Sequence, residues 1–348
     1  MTYHFGKQGY MVIQVQNEPG TPDSFTGAES EIGLPITDQP DLKPTIEKDY
    51  PQIYKKSNAE RTDYIVKKIS SEGKVAVNAY PGGPLETVLY GIFGDVSSTL
   101  IPDSTNAYIN NYSMTNDIPY FTAAVGLDTL NYQEFYDLKF GDLEINMESG
   151  SEVTLSSSVT GRGGAIDKPE IPSNKLNYTT ENTYSFDDLG VKLGGNINCD
   201  VTSANIKIER GIKSTRTACP GVGKGDNVIY VTTTDVSGSL EMLFQDYNEY
   251  KYWLGGSSAT EPTFNQNAAT TGRALELELT GGAIGDGELE TNSSLKLVCP
   301  RIVYDDSSLD MPFDDIVKIK FDFMGLDLAG STITAEVKSE FNAESILV

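Results

Sequence analysis

Apolar and polar residues alternate one for one along much of this chain, and a period of two is the signature of a strand with one buried and one wet face. The pattern runs through GYMVIQVQ (Gly9 to Gln16), KVAVNAY (Lys74 to Tyr80), KLNYTTENTYSF (Lys175 to Phe186), RALELELTG (Arg273 to Gly281) and VKIKFDF (Val317 to Phe323). The 33 Gly and 16 Pro suit the many tight connections that such strands require. With 38% hydrophobic and 22% charged residues, the chain can bury a real core and is not a disordered polymer. Its 348 residues leave room for two domains.

Two segments switch to helical spacing. In GPLETVLYGIFG, Leu85, Val88, Leu89, Ile92 and Phe93 share one face and Gly94 is a natural stop, which predicts a helix over Pro84 to Phe93. In FQDYNEYKYWLGG, Tyr247, Tyr250 and Leu254 repeat the face, with Trp253 beside it. This predicts a helix over Asp246 to Leu254, ended by Gly255, with its aromatic stripe in the core. The segment from Thr37 to Arg61 is rich in Pro, Lys, Asp and Glu and lacks periodicity. It reads as a long functional loop that orders on docking through Tyr50, Ile53 and Tyr54. Gly211 to Asn227 is Gly-rich, locally basic through Lys213, Arg216 and Lys224, and reads the same way.

The two helices invite a comparison of halves, and an internal repeat emerges. A Gly-led strand at Gly73 runs into a helix ending at Gly94, and one at Gly238 runs into a helix ending at Gly255. Alternating strands follow in both halves, and each half closes on a strand ending in Gly, at Gly161 and Gly325. The matched glycines lie 165, 161 and 164 residues apart. We read a tandem duplication, 1–165 and 166–348, with a hinge at GGAIDKPEIP (Gly163 to Pro172) where periodicity breaks. The expectation is mainly-β: two tandem β-sandwich or barrel units, each with a short α-helix, and no sheet running undivided across the hinge.

Charge and rare residues narrow the chemistry. Acids outnumber bases 50 to 26, a formal net charge of −24, which opposes binding to phosphates or to an anionic membrane surface. No stretch approaches the roughly 18 apolar residues of a membrane span. MTYHFGKQGY lacks the apolar centre of a secretion signal, so folding in a cytoplasm is expected. His4 is the one histidine, which leaves no triad imidazole in the body of the chain. Cys199, Cys219 and Cys299 are odd in number and widely spaced, which suits neither a disulfide framework nor a zinc site. GVGKGD (Gly221 to Asp226) has Gly225 where a P-loop needs Ser or Thr, and reads as a surface loop. DDSSLDMPFDD carries Asp305, Asp306, Asp310, Asp314 and Asp315 without EF-hand spacing, so a solvated loop is expected ahead of a calcium site. Carboxylate pairs for glycoside hydrolysis are recognised by separation in space and are not legible here. No catalytic, metal or cofactor residue is assigned.

The run TENTYSFDDLGVKLGG (Thr180 to Gly195) followed by INCDVTSANIKIERGI resembles tail tube proteins of long-tailed bacteriophages. DVSGSLEMLF, the helix ending YWLGG, and SSLKLVCPRIVYDD before VKIKFDFMGL continue the likeness; GKVAVNAY to IFG and VTGRGG are similar to the first domain of duplicated members. The resemblance implies a non-enzymatic virion protein that stacks as trimeric, pseudo-hexameric rings into a hollow, non-contractile tube through which DNA passes without specific binding. It also implies contacts with itself and with tape-measure, tail-tip and tail-terminator proteins. Thr37 to Arg61 departs from the family pattern. The alternatives are a secretion-system tube, a surface-layer assembly, or a carbohydrate-binding β-protein using Tyr and Trp platforms.

Overall fold

The computed structural model describes residues 9–26, 28, 30–37, 41–50, 52–54, 59–61, 64–127, 132–168, 182–215, 228–263, 271–286 and 291–347. Strands dominate, as the alternation requires. The first half carries β1 (Gly9–Val15), β2 (Ile32–Leu34), β3 (Lys43–Asp49), β4 (Gln52–Tyr54), β5 (Ala59–Arg61), β6 (Ile65–Asn78), helix α1 (Pro84–Phe93), β7 (Gly94–Leu100) and β8 (Tyr108–Met114). It continues with β9 (Phe121–Leu127), β10 (Tyr132–Phe140), β11 (Asp142–Glu148), β12 (Thr154–Gly161) and β13 (Gly163–Lys168). The second half carries β14 (Leu189–Leu193), β15 (Asn196–Asn198), β16 (Val201–Thr215), β17 (Val228–Leu243), helix α2 (Asn248–Leu254), β18 (Arg273–Ile284), β19 (Thr291–Asp310), β20 (Lys318–Gly325) and β21 (Thr334–Ser339).

Among the described residues all strand pairings are antiparallel. One sheet runs β3-β6-β12-β11-β16-β17-β20-β19, using the C-terminal end of β19. A second runs β2-β1-β9-β10-β13. A third runs β15-β14-β18-β19-β21-β8-β7, using the N-terminal part of β19. β10 and β19 each pass from an outer sheet into the first, inner one. Followed from strand to strand, the pairings branch but never return to their start. Among the described residues the inner sheet therefore ends at β3 on one side and at the end of β19 on the other.

Apolar residues of the inner sheet (Val75, Leu155, Ile145, Ile206, Leu240, Phe321) meet those of the outer sheets (Ile13, Phe135, Leu277, Leu297) in one continuous core. Helix α1 lies in that core with only Tyr90 left partly exposed. Pro84 starts it, and Gly94, in the left-handed region at φ 88°, ends it and donates its N–H to Tyr90 O. The Glu86 carboxylate turns back to accept from the N–H groups of Gly82 and Gly83, at 3.1 and 2.7 Å, so two donors at the helix start are satisfied inside the core. Helix α2 begins two residues later than its spacing predicts. None of its residues is fully buried: Tyr250, Tyr252 and Trp253 pack against the core while Tyr247 is exposed.

The register repeats between halves. Shifting β6 by 165 and β12 by 164 residues lays their pairing on that of β17 with β20: Val159↔Gly73 becomes Phe323↔Gly238, and Thr160↔Glu72 becomes Met324↔Ser237. The same shifts carry β3–β6 onto β16–β17, so that Lys43↔Glu72 becomes Lys207↔Ser237. The irregularity after Glu47 then falls on the one after Arg210. Glu144↔Ser156 likewise becomes Ser308↔Lys320.

Four expectations are corrected. The inner sheet does cross between the halves, because β11 pairs with β16 from Asp142↔Glu209 to Glu148↔Ser203. Each half leaves an open strand edge, and edge-to-edge pairing satisfies its backbone groups. Gly163 to Lys168 is the paired strand β13, and the rest of the expected hinge lies outside the described residues. Thr37 to Arg61 is largely strand: β3 and β6 form a ribbon, and β4 pairs with β5 beyond it. Gly211 to Thr215 belongs to β16, and 216–227 lie outside the described residues.

Gly73 and Gly238 show why the repeat keeps glycine. A Cβ at Gly73 would sit 2.3 Å from Asp41 O, and one at Gly238 would sit 2.2 Å from Asn205 O, the residue equivalent to Asp41. Gly73→Ala and Gly238→Ala are each expected to destabilise by about 1–3 kcal/mol in chemical denaturation. Gly282→Ala, with nothing within 4 Å of its Cβ, is expected to be near neutral.

Candidate functional site: the polar face of the inner sheet

The face of the inner sheet turned away from the core is polar from edge to edge. On β6 it shows Glu72 and Lys74, and across β12 it is all small hydroxyls, Thr154, Ser156, Ser158 and Thr160. β11 brings Asp142, Glu144 and Glu148 opposite Glu209, Lys207 and Ser203 of β16. β17 adds Asp235 and Glu241, β20 adds Lys318, Lys320 and Asp322, and β19 adds Asp306 and Asp310. At the other edge Lys43 lies opposite Glu72 and reaches back to Asp41 at 3.1 Å. The residues just named comprise eleven carboxylates and five lysines, an excess of six negative charges.

Four of the five lysines, all but Lys74, are tied down by neighbours on the same face. Lys318 lies 3.0 Å from Glu241, Lys320 lies 3.2 Å from Asp322, and Lys207 contacts Glu209. The hydrogen bond from Lys318 pulls the Glu241 carboxyl below its ordinary value, and that same bond pushes the Lys318 ammonium up. Such solvent-facing pairs add little stability. Their effect is to cancel the positive charge locally and leave Asp142, Glu144, Glu148, Asp235, Asp306 and Asp310 as a net negative surface. No aromatic side chain stands among these residues. A polyanion facing such a wall meets repulsion and water rather than a binding site.

The residues singled out from sequence fall elsewhere. Asp305, Asp306 and Asp310 lie on strand β19 rather than in a loop, and Asp314 and Asp315 follow it. Among the described residues no three His, Cys, Asp or Glu side chains are grouped to hold a metal ion. His4 and Gly221 to Asp226 lie outside the described residues. Trp253 is half-buried with Nε1 donating to Asp305 O at 3.4 Å and its ring against Tyr250, so it is not an open sugar platform. No described helix is long and apolar enough to cross a membrane. The face itself could not be assembled from sequence, because alternation says which residues share a side of one strand and not which strands are neighbours.

Cys299 is buried and its thiol is pushed up to about 12, whereas Cys199 is exposed. Iodoacetamide at pH 8 is expected to label Cys199 in the native protein and Cys299 only after unfolding, as read by peptide mass spectrometry.

The sequence profile of the phage tail tube protein family matches residues 16–300. No curated protein matches the chain. The chain belongs to the phage tail tube protein family, and with it to the structural, self-assembling components of the virion.

Proposed function

We propose that this chain stacks as rings into the hollow tube of a long, non-contractile tail, and that the acidic face of the inner sheet lines the channel through which DNA leaves the capsid. The observation that carries this reading is the polar face itself: eleven carboxylates against five lysines on one continuous sheet surface. DNA must slide past this wall, and excess negative charge with locally paired lysines keeps phosphates at a hydrated distance.

Residues 1–165 and 166–348 are on this reading two copies of one tube domain, and the shared registers of β3-β6-β12-β11 and β16-β17-β20-β19 support it. A ring of three chains then presents six equivalent units with pseudo-sixfold symmetry. The ribbon of β3 and β6 exposes Ile46 and Ile65, which are 52% and 56% accessible, and is assigned to contact between stacked rings. Subunits fold in the host cytoplasm and meet tape-measure, tail-tip and terminator proteins at the ends of the tube.

Negative-stain microscopy of concentrated protein is expected to show rings or hollow tubes. Dispersed particles under all assembly conditions would overturn the reading. Assembly is expected to accelerate as salt rises from very low values, since a Debye length of about 8 Å at physiological salt screens repulsion between distant acidic surfaces. Assembled tubes are expected to retain no duplex DNA at physiological salt in a sedimentation assay.

A further inference from the structure

We infer that residues 334–347 are a latch: they follow the second half in the chain but complete the first, which becomes competent to assemble only once they dock. The assembly part of this rests on the tube reading above, and the docking itself does not. Strand β21 makes the crossing. It pairs with β19 of its own half on one side and with β8 of the first half on the other, from Ala335↔Tyr112 to Ser339↔Tyr108. Beyond β21 the chain turns over the first half, and a short 3-10 helix at Ala343–Leu347 lies against α1, β1 and β7. Ala343 and Ile346 are wholly buried there, and Phe341 packs on the core.

Three polar clusters tie this segment to the first half. Asn110 of β8, itself fully buried, donates its side-chain N–H to Phe341 O at 2.9 Å, and its Oδ1 accepts from the Ala343 N–H at 3.2 Å. Ser98 of β7 and Glu344 bond reciprocally: the Ser98 N–H donates to the Glu344 carboxylate at 3.0 Å, and the Glu344 N–H to Ser98 Oγ at 3.2 Å. Ser339 donates its hydroxyl to Glu86, the fully buried carboxylate at the start of α1. Among the described residues no cation pairs with Glu86, so this hydroxyl and the N–H groups of Gly82 and Gly83 hold it. One bond, from the Gly285 N–H to the Glu340 carboxylate at 2.9 Å, stays within the second half. Lifting the segment would leave Asn110 and Glu86 short of partners inside the core, which is costly. It would also turn β8 into an open strand edge. Helix α2 has no such cover: none of its residues is fully buried, whereas α1 leaves only Tyr90 partly exposed. The first half therefore waits on the second, and a chain whose second half is unfolded offers no finished surface to a growing tube.

The test is made in the whole chain. I346D puts a charge at a buried contact of the latch. Hydrogen exchange read by mass spectrometry is expected to speed at least about tenfold in α1, β7 and β8 and to stay unchanged in β17 and β20. Tube assembly is expected to slow by a similar factor. E344A, which removes only an exposed bond, is expected to give a smaller change in the same peptides. In a background with Cys199 and Cys219 changed to Ser, S98C and E344C are combined with I346D. Oxidation to the disulfide is expected to restore both α1 protection and assembly, and reduction to remove both. Unchanged exchange around α1, protection lost equally from both halves, a tether that restores neither property, or I346D assembling at the wild-type rate would each overturn the latch. Where I346D does not fold, E344A and N110A carry the same test with the same outcomes. Wild-type protein that forms neither rings nor tubes would overturn the tube reading and leave the exchange measurement to decide the latch.

Discussion

Backbone pairing between β11 and β16 is the interaction on which the rest of this structure depends. It joins two four-stranded sets into one sheet, and it does so with seven residue pairs from Asp142↔Glu209 to Glu148↔Ser203. On the core side it places Leu143 and Ile145 opposite Ile208 and Ile206, all fully buried. On the other side it aligns Glu144 with Lys207 and leaves both in water. A slip of one residue would send every apolar side chain to the wet face, so the pairing fixes both the core and the acidic surface at once. Truncating a buried isoleucine of this kind costs about 2–5 kcal/mol. The core is continuous across the junction, and the halves are coupled through packing as well as through hydrogen bonds.

That coupling explains how a chain with a net charge of −24 folds at all. Over β12, β11, β17 and β20 the inner sheet keeps its charges on one side and spaces its carboxylates with the hydroxyls of β12, while Arg210 of β16 is buried on the other. Each paired lysine meets an acid on its own or an adjacent strand, as Lys318 meets Glu241 and Lys320 meets Asp322. Repulsion is thereby spread over a wide, solvated area where water and salt screen it. The same arrangement that makes the charge tolerable to the fold makes the surface unattractive to a polyanion.

Much of this was legible in the sequence, and the parts that were not share a physical cause. Helix α1 was readable to the residue, because a fully buried helix needs an unbroken apolar stripe, and Pro84 and Gly94 mark its ends. The matching registers at Gly73 and Gly238 left a mark in the sequence because each glycine is forced by a neighbouring carbonyl. Strand β3 was missed because its residues are exposed on both faces, so no alternation is imposed on KPTIEKD. Strand β13 was missed for a related reason: GGAIDK opens with two glycines, and Gly164 lies so close to the Glu134 carbonyl that a side chain would meet it at 3.0 Å. Asp305, Asp306 and Asp310 looked like a loop because β19 turns its last residues to solvent. The acidic face needed the order of strands, which lies in long-range pairing and leaves no local mark.

The two outer edges show how such a sheet stays apart until it is wanted. An edge strand offers unpaired N–H and C=O groups to any passing strand, and proteins blunt it with charge, proline or a local cap. Here Pro44 removes a donor from one edge, and the Lys43–Asp41 pair, at 3.1 Å, places opposite charges beside it. At the other edge the Asp306 carboxylate occupies the N–H of Ser307. None of these devices is absolute. A carboxylate cap exchanges for a carbonyl at little cost, and an edge that lacks one donor still offers its others. The β11–β16 seam has no such devices, since it is made once, within a chain, as the protein folds. The contrast is between a seam made once within the chain and two edges that are each blunted by a local device.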